Sequence, residues 1–249
     1  MTNMSAQTGS EKRLVRGIQR AVGAREDGIL GPASAVDLAA MVGAEVWPVT
    51  VQLFGAPVIV CEDVIACDPN AGCRSFTNSI SGSFSYAGKP CSILVSEGKV
   101  VCGTACHGWL DKPETVVYRR RNGEVGIQRV KTVAELPEDL RWAIGGVGLG
   151  EMYDPKAEGF CRFTAGGRTY DYSDVLRRTN HTMMGVKHGL VYLVYCPGMT
   201  GQGVDQLRAK LGLEMAIMLD GGHVAAINGA ESFARKNVGQ IQHYLIQGV

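Results

Sequence analysis

The chain has 249 residues, of which 45% are hydrophobic and 20% are charged, and its formal net charge is +1 at pH 7. This length and apolar content allow either one large domain or a small domain joined to a larger one. The near-neutral charge gives no reason to expect a nucleic-acid polymer or an anionic membrane as a partner. The 33 glycines, together with many short β-branched runs, favour a turn-rich and strand-rich fold over a helical bundle.

The first ten residues lack the charged-then-apolar pattern of a secretory signal. No stretch reaches the roughly 20 apolar residues that cross a bilayer. We therefore expect a protein that is cytoplasmic as synthesised, so that delivery to any other place requires another export route. Such a compartment keeps most thiols reduced. For the eight cysteines the sequence favours buried free thiols, with disulfides and a metal site as the alternatives.

Residues 1–10 are predicted to be a flexible start and residues 11–47 a small helical module. In the module, apolar residues recur at helical spacing on both sides of a turn rich in glycine. Two words, Ile18–Gly23 and Asp27–Pro32, resemble the peptidoglycan-binding module of many wall hydrolases. That resemblance implies a helical hairpin with the cell wall as a partner. A docking hairpin without affinity for the wall is the alternative.

Residues 48–249 are predicted to form the main domain, because the apolar period changes after Pro48 from helical to strand-like. Near its C-terminal end, the strand Leu190–Tyr195 precedes a helix over Val204–Leu211, and a strand over Met215–Leu219 follows. This strand–helix–strand order places Asp220 at the end of a strand of a mixed sheet.

The strand Met215–Leu219 is expected to be covered on both faces and to carry Asp220 onto a turn. A carboxylate at the end of a buried strand is held firmly, and Gly221 and Gly222 let a ligand or backbone approach closely. Ligands commonly lie at strand ends in sheets of this kind. The alternative is a connecting loop whose Asp merely tolerates turn geometry.

Four sequence motifs, taken in order, resemble the phosphodiester glycosidase family. They are Ile80–Phe84 with Gly88–Pro90, Ala143–Gly146, His181–Thr182 with Gly185, and Ala216–Gly222 preceded by Thr200 and a helix. The motifs span roughly residues 50 to 230. The resemblance implies an α/β (α+β) domain with a mixed sheet, preceded by the small helical module. It also implies an enzyme that cleaves the bond between the anomeric carbon of a sugar and a phosphodiester.

That chemistry needs a group that stabilises positive charge on the sugar, a proton donor or water activator, and donors for phosphate oxygens. The resemblance implies Asp220 as the catalytic carboxylate, with His181 and His223 as acid–base or phosphate-contacting groups. The substrate-binding residues it implies are Ser81, Thr182, Lys187, Thr200, Gly221 and Gly222. A small or polymeric sugar phosphate is the expected partner. No cofactor is expected, and a divalent metal stays an open alternative.

Three residues of this chain depart from the family pattern. Ser81 stands where the family has Asn, His181 where it has Arg, and His223 where it has Gly. A guanidinium binds phosphate bidentately, whereas an imidazole cannot. The sequence therefore leaves three functions open: a bacterial or phage hydrolase of glycosyl phosphodiesters, a protein that captures a phosphate-containing sugar or nucleotide without turnover, and a structural component of a virion or wall assembly. The oligomeric state is left open as well.

Overall fold

The computed structural model describes residues 48–68, 78–86, 89–105, 111–228 and 244–249. Within these ranges the chain forms eighteen strands and one α-helix, α1, over Gly201–Leu211. The first nine strands are β1 Val49–Leu53, β2 Ala56–Cys61, β3 Val64–Cys67, β4 Ser79–Ser81, β5 Ser85–Tyr86, β6 Lys89–Pro90, β7 Leu94–Ser96, β8 Lys99–Cys102 and β9 Glu114–Arg120. The other nine are β10 Val125–Val130, β11 Leu140–Gly148, β12 Arg162–Ala165, β13 Arg168–Asp171, β14 Thr179–Lys187, β15 Leu190–Met199, β16 Met215–Gly221, β17 Ile227–Asn228 and β18 Leu245–Gly248.

The strands form one large sheet and one small sheet, with two separate hairpins. The large sheet has ten strands in the order β1-β2-β15-β14-β16-β11-β7-β8, with β9 paired to β11 and β10 paired to β9. The small sheet has the order β17-β4-β18-β3. The hairpins are β5–β6 and β12–β13. Every strand pairing in the described ranges is antiparallel.

The predicted α/β (α+β) class with a mixed sheet is wrong, because the described chain is mostly antiparallel β-sheet with a single α-helix. The predicted order of strand, helix and strand is present as β15, α1 and β16. However, β14 lies between β15 and β16 and pairs antiparallel with both. The two strands joined by the helix therefore run parallel without being neighbours. Residues 11–47 lie outside the described ranges, so no helical domain is shown ahead of the sheets.

The large sheet is covered on both faces, which buries the strands that lead to the candidate site. On one face it packs against the apolar side of α1, formed by Val204, Leu207 and Leu211. On the other face it packs against side chains of the small sheet, among them Ile80 and Ile246. Alternate residues of β16 belong to the two faces, so the prediction of a doubly covered strand over Met215–Leu219 is confirmed.

Helix α1 begins and ends where local signals place it. Thr200 is the N-cap, and its hydroxyl accepts a hydrogen bond of 3.1 Å from Gly203 N–H. Gly212 ends the helix in the left-handed region at φ +69°, where a residue with a Cβ would be strained. The predicted helix is therefore confirmed and is one turn longer at its start.

The cysteines divide between thiols and a disulfide. Five cysteines form no disulfide, and the first, second and last of them are buried: Cys61, Cys91, Cys102, Cys161 and Cys196. Cys67 is disulfide-bonded. The preference for buried thiols is thus confirmed for Cys61, Cys91 and Cys196 and wrong for Cys67, whereas Cys102 and Cys161 are thiols that are only partly buried. In the described part of the chain, no helix is long and apolar enough to cross a bilayer.

The Gly146 position in β11 gives a test of how tightly the strands pack. A Cβ on Gly146 would stand 2.5 Å from the carbonyl oxygen of Met218 in β16. We expect Gly146→Ala to lower the free energy of unfolding by about 1–3 kcal/mol, because the clash is with backbone that cannot move aside cheaply. Urea denaturation measures the change. Gly103→Ala is the matched control, since its Cβ would lie 3.4 Å from the nearest side chains; equal losses in both variants would contradict the prediction.

Candidate functional site

The candidate site lies where β4, β14 and β16 meet at one end of the two sheets. The register places His181 of β14 opposite Gly221 of β16. The N–H of Asp220 donates to Gly82 O at 3.1 Å, which joins β16 to the residue after β4. The strand pairing therefore brings together Ser81, the pair His181–Thr182, and Asp220, which are far apart in the chain.

Asp220 is the carboxylate of this site. Its Oδ1 accepts a hydrogen bond of 2.8 Å from Gly221 N–H. The residue keeps partial exposure to solvent, but its carboxyl lies among the packed strand ends, and this burial raises its pKa to about 7. The Gly221 amide opposes that rise only in part. A carboxyl that titrates near neutral pH can act as carboxylate or as proton carrier under physiological conditions.

Thr182 ties the two sheets together beside Asp220. Its buried hydroxyl lies 2.8 Å from Ser81 O and 2.8 Å from Asp220 O. A hydroxyl has a single proton, so Thr182 donates to one of these carbonyls at a time. The contact fixes the backbone that carries the Asp220 carboxylate, and it occupies the hydroxyl that the resemblance assigns to substrate.

Ser81 performs a similar structural task on the other side of the turn. The residue is fully buried. Its hydroxyl donates to Val224 O and accepts from Ala226 N–H at 2.9 Å. These bonds hold the segment that follows the Gly221–Gly222 turn. The geometry therefore gives Ser81 a role in positioning the turn.

His181 is buried, with 1% of its surface exposed, so solvent barely reaches its imidazole. Its Nε2 lies 3.1 Å from Arg177 O. Burial lowers the pKa of His181, and the charge of Arg177 lowers it further, against hydrogen bonds to the carbonyls of Arg177 and Met199 that raise it. These contacts make His181 an anchor for the backbone of Arg177.

The two glycines allow the close packing at the turn. A Cβ on Gly221 would lie 2.8 Å from His181 Nδ1 and 2.9 Å from Asn180 O. Gly222 has φ +70°, a conformation that favours glycine. The sequence prediction that glycines permit a close approach is thus confirmed at Gly221, where the approaching groups belong to β14.

The remaining predicted residues lie in three different places. Thr200 caps α1 and lines a cleft of about 280 Å³ together with Arg178, Gln202 and Lys210. Lys187 lies at the opposite end of β14 from His181 and pairs with Leu190, so it is not part of the site. His223 belongs to a 3-10 turn over Gly222–Val224, and its side chain lies outside the described part of the structure.

Sequence reasoning missed Arg177, whose guanidinium lies over the glycine turn. Its Nη2 is 3.7 Å from the point where a Cβ on Gly222 would stand. The signal that could have indicated Arg177 was the basic pair Arg177–Arg178 shortly before the His181–Thr182 motif. Sequence alone does not show which way either side chain points. Among the described residues, no three His, Cys, Asp or Glu side chains form a group that could hold a metal ion.

Replacing Gly221 by Ala tests whether the close packing at the turn matters for the site. The backbone at Gly221 has φ −143°, so alanine causes no backbone strain and acts only through its contacts with His181 and Asn180. We expect Gly221→Ala to displace Asp220 and to lower kcat/KM for a turned-over substrate by about 10²-fold. Steady-state kinetics alongside circular dichroism make the measurement, with Gly103→Ala as control; unchanged kinetics would contradict it.

Fold and site together define a class: an antiparallel β-sheet protein in which a carboxylate of raised pKa ends a doubly covered strand beside a glycine turn. A solved structure with a similar fold is the catalytic domain of zebrafish N-acetylglucosamine-1-phosphodiester alpha-N-acetylglucosaminidase, auto-inhibited by its pro-peptide. The TM-score is 0.53 and the identity 14%, over 81% of this chain and 81% of that one. At this identity the likeness extends to the fold alone.

A hypothetical protein from Synechocystis is a more distant match, with a TM-score of 0.47 and 11% identity over 80% of this chain and 61% of that one. No protein-family profile matches the sequence. No curated protein matches it either.

Proposed function

We propose that this protein is a hydrolase that cleaves a glycosyl phosphodiester between the sugar C1 and the phosphate oxygen. The observation that carries the proposal is Asp220, a carboxyl with a pKa of about 7 at the end of β16. The fold similarity to the zebrafish phosphodiester glycosidase domain is consistent with this reaction class. The substrate and the catalysis itself are inferred from the chemistry of the site.

In the proposed reaction the bond between C1 and the phosphate oxygen breaks, and its electron pair leaves with the phosphomonoester. The carboxylate of Asp220 stabilises the positive charge that develops on the sugar ring. Water then adds to C1 and gives up a proton, which a carboxyl titrating near pH 7 can accept. The products are a free sugar and a phosphomonoester. A phosphomonoester is a better leaving group than an alcohol, so its departure depends less on a separate acid.

Three of the side chains near Asp220 already form hydrogen bonds within the protein, and we assign them structural roles. The hydroxyls of Ser81 and Thr182 and the imidazole of His181 are occupied by internal hydrogen bonds. They position the turn and Asp220. The alternative that these internal bonds favour is a binding protein that retains a phosphate-containing sugar or nucleotide without turnover.

Incubation with a panel of sugar-1-phosphodiesters and nucleotide sugars, followed by mass spectrometry, tests the proposal. Release of free sugar and phosphomonoester, lost in Asp220→Asn, is the expected result. Stoichiometric retention of an unchanged compound would contradict hydrolysis and support the binding function. Neither turnover nor retention across the panel would contradict both and favour a structural component. The wall-binding role predicted for residues 11–47 concerns residues outside the described ranges and stays a prediction.

A further inference from the structure

We propose that Arg177 is the residue that binds the substrate phosphate and so makes the site selective for phosphodiesters over neutral glycosides. The proposal rests on the hydrolase function proposed above. It assigns the anionic half of the substrate to a side chain that sequence reasoning did not select.

The guanidinium of Arg177 is held at one edge and open at the other. Its Nη1 lies 3.2 Å from Asp174 O and forms an ion pair with the Asp174 carboxylate. Among the described residues, its Nε and Nη2 donate no hydrogen bond, and the side chain is 54% exposed. Nη2 is the atom that faces the glycine turn. An anion reaching the turn from solvent therefore meets unused donors.

The backbone beneath this side chain is fixed from two sides. Arg177 N–H donates to Asp174 O at 3.1 Å, which closes the 3-10 turn over Ser173–Leu176. Arg177 O lies 3.1 Å from Nε2 of the buried His181. Because His181 is itself paired with Gly221 of β16, Arg177 is tied to the same strand end as Asp220. His181 is thus a positioning residue for Arg177.

The stretch of chain that joins the two charged groups is short. Arg177 Nη2 lies beside Gly222, which is two residues after Asp220, a separation of at most about 7 Å between Cα atoms in extended chain. Gly222 has no side chain to fill the gap beneath Nη2. A sugar carbon at the carboxylate and a phosphate at the guanidinium would place opposite charges together, and Arg can bind phosphate through two parallel hydrogen bonds.

Kinetics on two substrates with the same sugar test the assignment: a glycosyl phosphodiester and an aryl glycoside without phosphate. We expect Arg177→Met to lower kcat/KM for the phosphodiester at least about tenfold, mainly by raising KM. The same variant should change kcat/KM for the aryl glycoside by no more than about twofold. Arg177→Lys should recover part of the loss, because lysine supplies charge without the bidentate fork. The control is Arg168→Met, an exposed arginine of β13, which should match wild type on both compounds.

Calorimetric binding of inorganic phosphate gives a readout that does not depend on turnover. If wild type cleaves neither compound, the hydrolase proposal fails, and a loss of phosphate binding in Arg177→Met would still support the assignment of Arg177. Equal kinetic losses on both substrates, phosphate binding unchanged in Arg177→Met, or a wild type that does not bind phosphate would each overturn it.

Discussion

Replacing Asp220 by Asn is expected to lower turnover by orders of magnitude and to stabilise the folded protein at alkaline pH. Burial raises the pKa of Asp220 to about 7, whereas an unfolded Asp titrates near about 3.9. Between these values the folded state binds more protons than the unfolded state, so the stability of wild type falls as pH rises from about 4 to 7. Asparagine does not titrate. The free energy of unfolding of the variant should therefore equal that of wild type near pH 4 and exceed it at pH 8 by about 2–4 kcal/mol.

Activity should follow the same ionisation in wild type. Because the carboxylate form is the one that stabilises the charged sugar, kcat/KM is expected to rise with pH through about 7, and Asp220→Asn to lose about 10²–10⁴-fold. Urea denaturation at pH 4, 6 and 8 and a pH–rate profile provide the measurements. Asp139→Asn is the control: the hydrogen bond from Arg120 lowers the pKa of that exposed carboxyl, so its substitution should not stabilise at pH 8. Retained turnover in Asp220→Asn would refute its catalytic role.

Replacing Glu158 by Ala is expected to cost about 3–5 kcal/mol of unfolding free energy, because it leaves two buried hydrogen-bond donors without an acceptor and removes an ion pair. The Glu158 side chain has no exposure to solvent. Its Oε1 accepts from the Thr115 hydroxyl and from Arg129 Nε at 3.1 Å, and Oε2 accepts from Gly148 N–H at 3.0 Å. The carboxylate therefore fastens the segment after β11 onto β9, β10 and β11.

The matched control for Glu158→Ala is Glu124→Ala. Glu124 pairs with Arg120 at 2.7 Å, but 59% of its side chain is exposed, and such pairs contribute about 0–1 kcal/mol. Glu158→Gln should fall between the two, since the amide oxygen keeps one acceptor. Urea denaturation at pH 7 measures all three variants. Equal effects of Glu158→Ala and Glu124→Ala would show that the buried pair does not stabilise the fold.

Features that depend on nearby residues could be predicted from the sequence. The doubly buried β16, helix α1 and the Gly212 terminus all follow from apolar periodicity and from conformations that suit particular residues. The N-cap role of Thr200 was not predicted, because the resemblance assigns Thr200 to the substrate. For the same reason Asp220 could be selected, since a carboxylate after a buried strand and before two glycines is a local pattern.

Features that depend on distant pairing could not be predicted. No local signal shows that β14 inserts between β15 and β16, and this insertion is why the mixed-sheet prediction is wrong. Nor does the sequence show that the Ser81 hydroxyl forms hydrogen bonds with the backbone of Val224 and Ala226. The Arg177 guanidinium comes to lie beside Gly222 only when β14 has paired with β16, so its position could not be predicted either.

The pairing of strands from opposite ends of the chain has a consequence for folding kinetics. β3, which begins at Val64, pairs with β18, which ends at Gly248, and β18 also pairs with β4 beneath the Asp220 turn. Pairings of such long sequence separation close late, because loop entropy is lost before the contacts form, and they fold on a time scale of about milliseconds to seconds. Chain collapse and the assembly of the site should therefore be separate events, and ligand binding during refolding would report the docking of the last strand.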